Sequence, residues 1–363
     1  MSNLHYIIPI FVPHEGCPHD CVFCNQNSIT GTKVKVDAAY VDRTVNEYLR
    51  TINNDDAIIE VSFFGGTFTA IKTEKQVELL TVAKKFKDSN KIKFIRLSTR
   101  PDYIDDSILQ NLKKYTVDII ELGVQSLDGE VLLKSGRGHT AEDVERASKL
   151  IKQYGFILGH QIMIGLPGDN INKDIDTAKG VIALKPDICR IYPALVIKDT
   201  PMEKMYKNQT FKPYSLSEAI NISKIIYLMM MSNKINVIRI GLQPTEEISE
   251  GNDLVSGPFH PAFRELVEGS IYNDILHDVI SSNIKNDNTV NTVSVKINPK
   301  DISKLYANGK SFFYDIKKQI GTNLIEVFQD ITIERGNISV YIGEKCINIS
   351  ISEYAHSKYK EGF

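Results

Sequence analysis

FVPHEGCPHDCVFCNQ, residues 11–26, holds three of the chain's five cysteines: Cys17, Cys21 and Cys24. Their spacing is C-x3-C-x2-C. Thiolate sulfur is a soft ligand, suited to zinc, copper(I) or iron–sulfur clusters. A structural zinc site takes four ligands. His19 would complete a Cys3His set, but it stands only two residues from both Cys17 and Cys21, and no second C-x-x-C pair follows. Three thiolates on one short loop suit an iron–sulfur cubane better. They bind three irons and leave the fourth open to an external ligand. A zinc knuckle stays as the alternative. Uneven clustering of five cysteines does not look like a disulfide framework, and fits a reducing compartment with thiols used as metal ligands.

The 363 residues allow one large domain and a smaller one. Hydrophobic residues make up 42% and charged ones 24%, ordinary values for a globular chain with a core of useful size. A formal net charge of −2 excludes a strong overall pull toward nucleic acid or membrane. The opening MSNLHYIIPIFVP lacks the basic start of a secretory signal, and no apolar run reaches the length of a membrane span. A cytoplasmic protein without membrane contact is expected.

Apolar, β-branched runs recur along residues 1–245: LHYIIPIFV, AIIEVSFFG, KIKFIRLST, VDIIELGVQ, LGHQIMIGL, DICRIYPAL and NVIRIGL. Helical patterns such as TEKQVELLTVAKKFKD and TAEDVERASKLIKQYG separate them. Short strands alternating with helices predict an α/β fold with a parallel sheet, here a partial (β/α)6 barrel. In such a fold the functional residues sit after the strands, and nearly every unusual residue of this chain does. Residues 246–262 are rich in turn formers and read as a loop, followed by a helix; together they make an extension over 246–281. From 282 to 363 a small α+β unit is expected: strand TVSVKIN, helices over PKDISKLYANGKSFFYDIKKQIG, then strands LIEVFQD and ISVYIGEKCINISI.

The cysteine segment, with the aromatic Phe23 before the last thiol, resembles the signature of radical S-adenosylmethionine (SAM) enzymes. The resemblance implies a 4Fe-4S cluster on Cys17, Cys21 and Cys24, with SAM at its open iron. One electron from a donor such as flavodoxin or ferredoxin then cleaves SAM to a 5′-deoxyadenosyl radical. It further implies that Gly65, Gly66 and Thr67 of SFFGGTFT meet the amino group of the methionine portion, and that Arg137 of SGRGHT pairs with its carboxylate. Gln125 of ELGVQS would offer donor and acceptor to the ribose. Backbone around Met163 and Ile164 would flank the adenine, and Ser98 and Gln161 hold ribose-contact positions. Read without the family, Gly-Gly marks a turn, Gln125 a polar rim and Arg137 a surface ion pair.

The series FFGGTFT, STRPDY, ELGVQS, RGHT and IYPALVIKDTPMEKMYKNQTFKPYS resembles, over roughly residues 5–245, the radical-SAM domain of the Elongator catalytic subunit, which modifies wobble uridines of tRNA. That implies an RNA substrate, tRNA above all. GVQS, GRGHT and GLPG also resemble oxygen-independent coproporphyrinogen oxidases, so a small-molecule substrate is the alternative. This chain departs from the Elongator pattern in its C-x3-C spacing where the family has C-x9-C, and has Ser98 and Gln161 where relatives carry acids. It has no recognisable acetyltransferase-like segment. The C-terminal unit resembles a KH domain, with Ala307–Lys310 (ANGK) at the backbone-clamping loop and Lys304 nearby; a packing domain is the other reading. A non-catalytic, metal-stabilised RNA-binding protein is the reading outside enzymes. Tyr192, ending the sixth strand, and His260, in SGPFHPAF, are candidate catalytic residues. Cys189 and Cys346, inside apolar strands, are expected to be buried and unreactive.

Overall fold

The computed structural model describes residues 4–12, 17, 21–25, 35–54, 56–242, 252–284, 292–320 and 325–362. They form two compact units, Met1–Tyr214 with Gln243–Pro258, and Ser215–Leu242 with Phe259–Phe363.

The first unit is a curled half-barrel of parallel strands. Its strands β1 (His5–Val12), β2 (Ile58–Gly65), β3 (Phe94–Thr99), β4 (Ile119–Gln125), β5 (Ile157–Ile164) and β6 (Ile188–Pro193) lie side by side in chain order. Each neighbouring pair is parallel. Helices make the crossovers: α1 (Ala38–Thr51), α2 (Thr73–Asp88), α3 (Asp106–Lys114), α4 (Gly129–Lys134), α5 (Ala141–Gln153) and α6 (Ile171–Ala183). The strands are apolar along most of their length because parallel strands are covered on both faces. Ile10, Phe63, Leu97, Ile120 and Ile191 are fully buried. On the helix side, α2 buries Leu79, Leu80, Ala83 and Phe86, spaced at helical period. This is the expected strand–helix alternation.

Two short strands, β7 (Val196–Ile197) and β9 (Leu254–Ser256), pair antiparallel, with α7 (Pro201–Lys207) after β7. The described part of 246–262 is therefore not wholly loop: the Leu-Val-Ser run inside it finds a strand partner.

The second unit holds α8 (Leu216–Ser232), β8 (Asn236–Ile240) and α9 (Phe263–Ile284). It continues with β10 (Val293–Ile297), α10 (Ile302–Leu305), α11 (Ser311–Ile320), β11 (Ile325–Gln329), β12 (Asn337–Ile342), β13 (Lys345–Ser350) and α12 (Ile351–Glu361). Its sheet runs β11-β10-β12-β13, with β10 and β11 parallel and the other pairs antiparallel. Val293, Val295, Ile297, Ile338, Val340 and Ile342 fill the buried face. Helix α8 packs on α9 and α12, which draws residues 215–242 into this unit, whereas the sequence reading set its boundary near 245.

ANGK is a tight turn with Asn308, Gly309 and Lys310 at φ 55°, 58° and 68°. Lys304 is held by Glu268 at 2.9 Å and Asp301 at 3.0 Å. Sequence reasoning missed α12, although Ser350 and Glu353 form the reciprocal capping box that announces a helix. It also placed Cys346 in the interior. Cys346 is exposed, because it lies opposite Tyr341 on the solvent-facing register of the β12–β13 ladder. Cys189 is buried as expected. Among the described residues, no helix is long and apolar enough to cross a membrane.

Helix α5 starts at Thr140, whose hydroxyl accepts from the Asp143 amide while the Asp143 carboxylate accepts from the Thr140 amide. Thr140→Ala should lower unfolding free energy by about 1 kcal/mol, read from the urea midpoint, with Thr140→Ser near wild type.

Candidate active site

The cysteine segment leaves β1 and is clipped at several points. The Cys24 amide donates to the Cys21 carbonyl at 3.0 Å, forming a tight turn. The Val22 amide donates to the Ser135 carbonyl at 3.1 Å, and the Met202 amide donates to the Val22 carbonyl at 2.9 Å. Asn25 Nδ2 donates to the Lys198 carbonyl at 3.0 Å. Phe23 packs on two apolar clusters, one of Val131, Leu166 and Ala194, the other of Val196, Met202 and Phe211. Met163 joins the first cluster, so Phe23 and Met163 share one wall. Cys21 is buried, while Cys17 and Cys24 are half-buried. His19 lies outside the described residues.

At the foot of this segment β2 ends on Gly65, and Gly66 follows it. Gly65 has φ 112°, and a Cβ there would stand 2.5 Å from the Val12 carbonyl oxygen. Only glycine lets the backbone turn this close to the end of β1. The Gly66 amide donates to that carbonyl at 3.1 Å. Thr67 follows, buried, at the head of a short 3-10 turn.

Arg137 reaches into the same region. Its Nη1 donates to Cys21 Sγ at 3.2 Å and its Nη2 to the Gly123 carbonyl at 2.7 Å. Arg100, itself paired with Asp102 at 2.9 Å, donates to the Arg137 carbonyl. Gln125 ends β4 at a register shift, with φ 63°, an uncommon conformation for a residue with a side chain. A Cβ on Gly123 would stand 3.2 Å from both Arg137 Nη2 and Gln125 Nε2, so that glycine leaves room for both side chains. Gln125 Oε1 and Arg137 Nε are buried with no partner among the described residues. Buried polar atoms without partners are rare, and a strained residue among them points to a ligand site.

His139 lies next to Arg137, buried. Burial first, then the Arg137 charge, lowers its pKa to about 4. Further along, the GLPGD turn carries Asp169. The Asp174 pKa is pushed up to about 9 by burial and by the Asp169 charge, so Asp174 holds a proton at neutral pH. Tyr214 Oη donates to Asp174 at 2.8 Å, joining the first turn of α6 to the end of FKPYS.

The barrel lumen holds a ladder of charges that sequence reasoning missed. Glu60, Arg96, Glu121 and Arg190 come from β2, β3, β4 and β6, and all are buried. Arg96 bonds Glu60 at 2.9 Å and also Glu121. Arg190 Nε lies 3.0 Å from Glu121. Gln161 Nε2 donates to Glu121 at 3.0 Å and to Ser98 Oγ at 3.4 Å. Arg190 Nη1 donates to Tyr192 Oη at 3.3 Å, with the guanidinium carbon 5.8 Å from the centre of the Phe64 ring. Burial and the Glu121 charge push the Cys189 thiol up to about 12, leaving it unreactive.

The structure thus brings together Cys21, Phe23, Met163, Arg137 and Gln125 around the cysteine segment, and Ser98, Gln161 and Tyr192 around Glu121. The Ile164 carbonyl accepts from the Ala194 amide at 2.9 Å, within the same wall. His260 belongs to the second unit, where its Nδ1 accepts from the Ala262 amide at 3.1 Å at the head of α9. The signal for the ladder was present in the sequence as one charge inside each apolar run: IIEV, FIRL, IIEL and ICRI.

Among the described residues, no three His, Cys, Asp or Glu side chains converge on a single metal ion. Each thiolate of a cubane binds a different iron, so its three sulfurs need not meet at one point. Soft donors on one loop, a guanidinium on Cys21 Sγ, and two orphaned buried polar atoms beside it fit an iron–sulfur cluster with an amino-acid ligand.

The model of the radical SAM superfamily matches residues 11–179, and that of a radical SAM C-terminal domain matches 186–273. The tRNA uridine(34) acetyltransferase of Methanocaldococcus infernus is 29% identical over 255 residues, covering 60% of this chain and 48% of that protein. Human Elongator complex protein 3 is 28% identical over 273 residues, covering 63% and 50%. The chain therefore spans about half the length of these curated relatives. The solved archaeal Methanocaldococcus infernus Elp3, lacking its N-terminus, superposes with a TM-score of 0.61 at 24% identity, over 76% of this chain and 64% of that one, and so shares the fold. The chain belongs to the radical SAM superfamily, in its Elongator-like branch, whose cofactors are a 4Fe-4S cluster and SAM.

Glu121→Gln would leave Arg96 and Arg190 short of a buried counter-charge. It should cost about 3–5 kcal/mol of unfolding free energy, measured by urea denaturation. His139 gives a pH test. Its folded pKa is depressed, so as pH falls from about 6.5 to about 4 the unfolded chain takes up a proton that the folded one refuses. Stability should fall across that window by about 1.4 kcal/mol per pH unit for this group, and His139→Gln should remove that part of the slope.

Proposed function

We propose that this radical SAM enzyme binds its cluster through Cys17, Cys21 and Cys24, cleaves SAM reductively, and modifies RNA, with tRNA the substrate. The observation that carries the cofactor part is the contact of Arg137 with Cys21. One buried guanidinium, braced on the Gly123 carbonyl, stands on the cysteine segment, and among the described residues its Nε and the Oε1 of Gln125, which shares the space over Gly123, have no partner. Arg137 pairs with the carboxylate of SAM, and the Gly65–Gly66–Thr67 turn presents backbone to its amino group. Gln125 holds the ribose. Gln161, bonded to both Ser98 and Glu121, forms the lumen wall with Ser98. Phe23 and Met163 shield the segment from water. Tyr192, its phenol oxygen anchored by Arg190, faces the substrate side. His260 has no part in this reading beyond the head of α9. A cluster held by Cys17, Cys21 and Cys24 would supply the one-electron reduction that cleaves SAM, while Arg137, Gln125 and the Gly65–Gly66–Thr67 turn would hold SAM in place.

The RNA part rests on the relatives named for tRNA uridine 34. Their similarity to this chain covers about half of their length, and the acetyl transfer in their name is not carried over. A cytoplasmic setting suits a thiol-rich, reducible site.

Protein reconstituted anaerobically with iron and sulfide should release 5′-deoxyadenosine from SAM on addition of dithionite, and Cys21→Ala should reduce this to background. Arg137→Met should weaken SAM binding by about 10- to 100-fold, as expected for loss of a charge-assisted hydrogen bond. Zinc uptake with no 5′-deoxyadenosine would overturn the enzymatic reading. Mass spectrometry of nucleosides from total tRNA of a deletion strain should show one modified species missing. An unchanged profile with altered haem intermediates would replace RNA by a small-molecule substrate.

A further inference from the structure

FKPYS, residues 211–215, and the buried carboxyl of Asp174 take no part in the cofactor site. They meet on the turn between β5 and α6, GLPGD, residues 165–169. The Tyr214 ring lies on Gly165, where a Cβ would stand 2.5 Å from ring carbon Cδ2. Gly165 has φ 72°, so glycine is needed here both for the backbone and for the ring. Tyr214 Oη donates to Asp174 at 2.8 Å. Asp174 also accepts from the Gly165 amide and shares a hydrogen bond with the Asp169 carboxyl. A hydrogen bond between two carboxyl groups must contain a proton, since ionised carboxylates are acceptors only. The other charges nearby do not replace it. Asp128 adds a further negative charge beside Asp169. Lys173 Nζ is drawn to Glu130 at 2.6 Å, Asp128 at 3.2 Å and the Gly168 carbonyl at 3.0 Å, and Lys134 to Glu130 at 2.7 Å. The turn held in this way carries Leu166, which is buried with Val131 and Ala194 in the cluster that receives Phe23 and Met163.

We propose that Tyr214 and the proton shared by Asp169 and Asp174 form a positioning clasp for SAM: they set the GLPG turn, and with it the wall on which the adenine end of SAM lies. The inference rests on the reading that backbone around Met163 and Ile164 flanks the adenine. None of the three side chains touches SAM; each acts through the turn. Two features separate the clasp from ordinary core packing. Its ring contact and its hydrogen bonds all end on the turn or on the first turn of α6. Apolar side chains would also hold a turn with less desolvation, whereas a shared proton makes the hold conditional. Ionising both carboxyls would set two charges against each other in a buried place, and Asp174 keeps its proton up to about pH 9. The protonated clasp is the form that binds SAM, so affinity is full at neutral pH and is lost as pH rises through that value.

SAM affinity is measured by equilibrium dialysis from pH 7 to pH 10 on reconstituted protein with no reductant present, so that SAM stays intact. L-Methionine, which carries no adenine, is the control ligand. The wild-type dissociation constant for SAM should rise about tenfold between pH 8 and pH 10. At pH 7.5 Tyr214→Phe and Asp174→Ala should each weaken SAM about five- to tenfold, and leave methionine within about twofold. The conservative Asp174→Asn keeps a neutral donor toward Asp169; it should rescue binding at pH 7.5 and abolish the alkaline fall. A second readout needs no cluster: hydrogen exchange over residues 163–170 should quicken in Tyr214→Phe and Asp174→Ala, with the other barrel strands unchanged. The same alkaline fall in wild type and Asp174→Asn would overturn the inference. So would methionine weakened as much as SAM, or exchange in the turn unchanged. Wild-type protein that binds no SAM would overturn the cofactor reading, a result distinct from failure of the clasp, in which wild type and variants bind SAM alike.

Discussion

A carboxylate that cannot reach water must find its cations inside the protein, and in this fold Glu121 does so for most of the lumen. Desolvating it costs several kcal/mol unless the protein supplies donors in good geometry. Arg96, Arg190 and Gln161 supply them from β3, β6 and β5. One side chain on β4 therefore fixes the inner faces of four strands relative to one another. Gln125, four residues further along β4, and the loop carrying Arg137 inherit that alignment. The positions of Gln125 and Arg137 thus depend on a buried ion network that includes neither of them.

The cysteine segment depends on a second constraint. A loop that must present three thiols cannot rely on its own length for rigidity, so it is held from outside. Backbone hydrogen bonds fix Val22 to residues 135 and 202, and the Phe23 ring sits between two apolar clusters. The aromatic before the last cysteine is thus an anchor. Phe23 is partly buried, so its packing stabilises by less than the roughly 1.5–3 kcal/mol of a fully buried ring, spent here on holding the loop.

The fold was legible because its signals are local. Strands buried on both faces must be apolar and β-branched, and helices between them must show one apolar stripe, so β1 to β6 could be read directly. The cysteine spacing was legible for the same reason, since a ligand set on one loop is a pattern in sequence. What could not be read were pairings between distant residues. The contact of Arg137 with Cys21 spans 116 positions. Nothing near Glu121 says that its partners stand at 96, 161 and 190. The odd charge inside each apolar run hinted at the ladder, but only the curl of the sheet shows which charges meet. Cys346 failed the reading by register, because an apolar neighbourhood in sequence does not decide which face of a strand a residue takes. Helix α12 was missed despite its capping box, since its composition is too polar to announce a buried stripe.

The composition of the lumen ladder also bears on the chemistry. Two glutamates and two arginines balance, and each is used by a neighbour, so the lumen offers little net field. For a reaction that develops charge in its transition state this would be a poor arrangement, because catalysis there comes from dipoles aimed at the new charge. Hydrogen-atom abstraction by a carbon radical develops almost none. What it requires is a substrate held close to the radical and a site from which water and stray hydrogen donors are excluded. A neutral, cross-braced lumen meets those requirements, and Cys189, one residue from Arg190 on β6, takes the opposite face of that strand. Under the proposed reaction the ladder's value is rigidity without a field, a demand that sets radical chemistry apart from the acid–base and anion-stabilising chemistry that the same barrel architecture supports elsewhere.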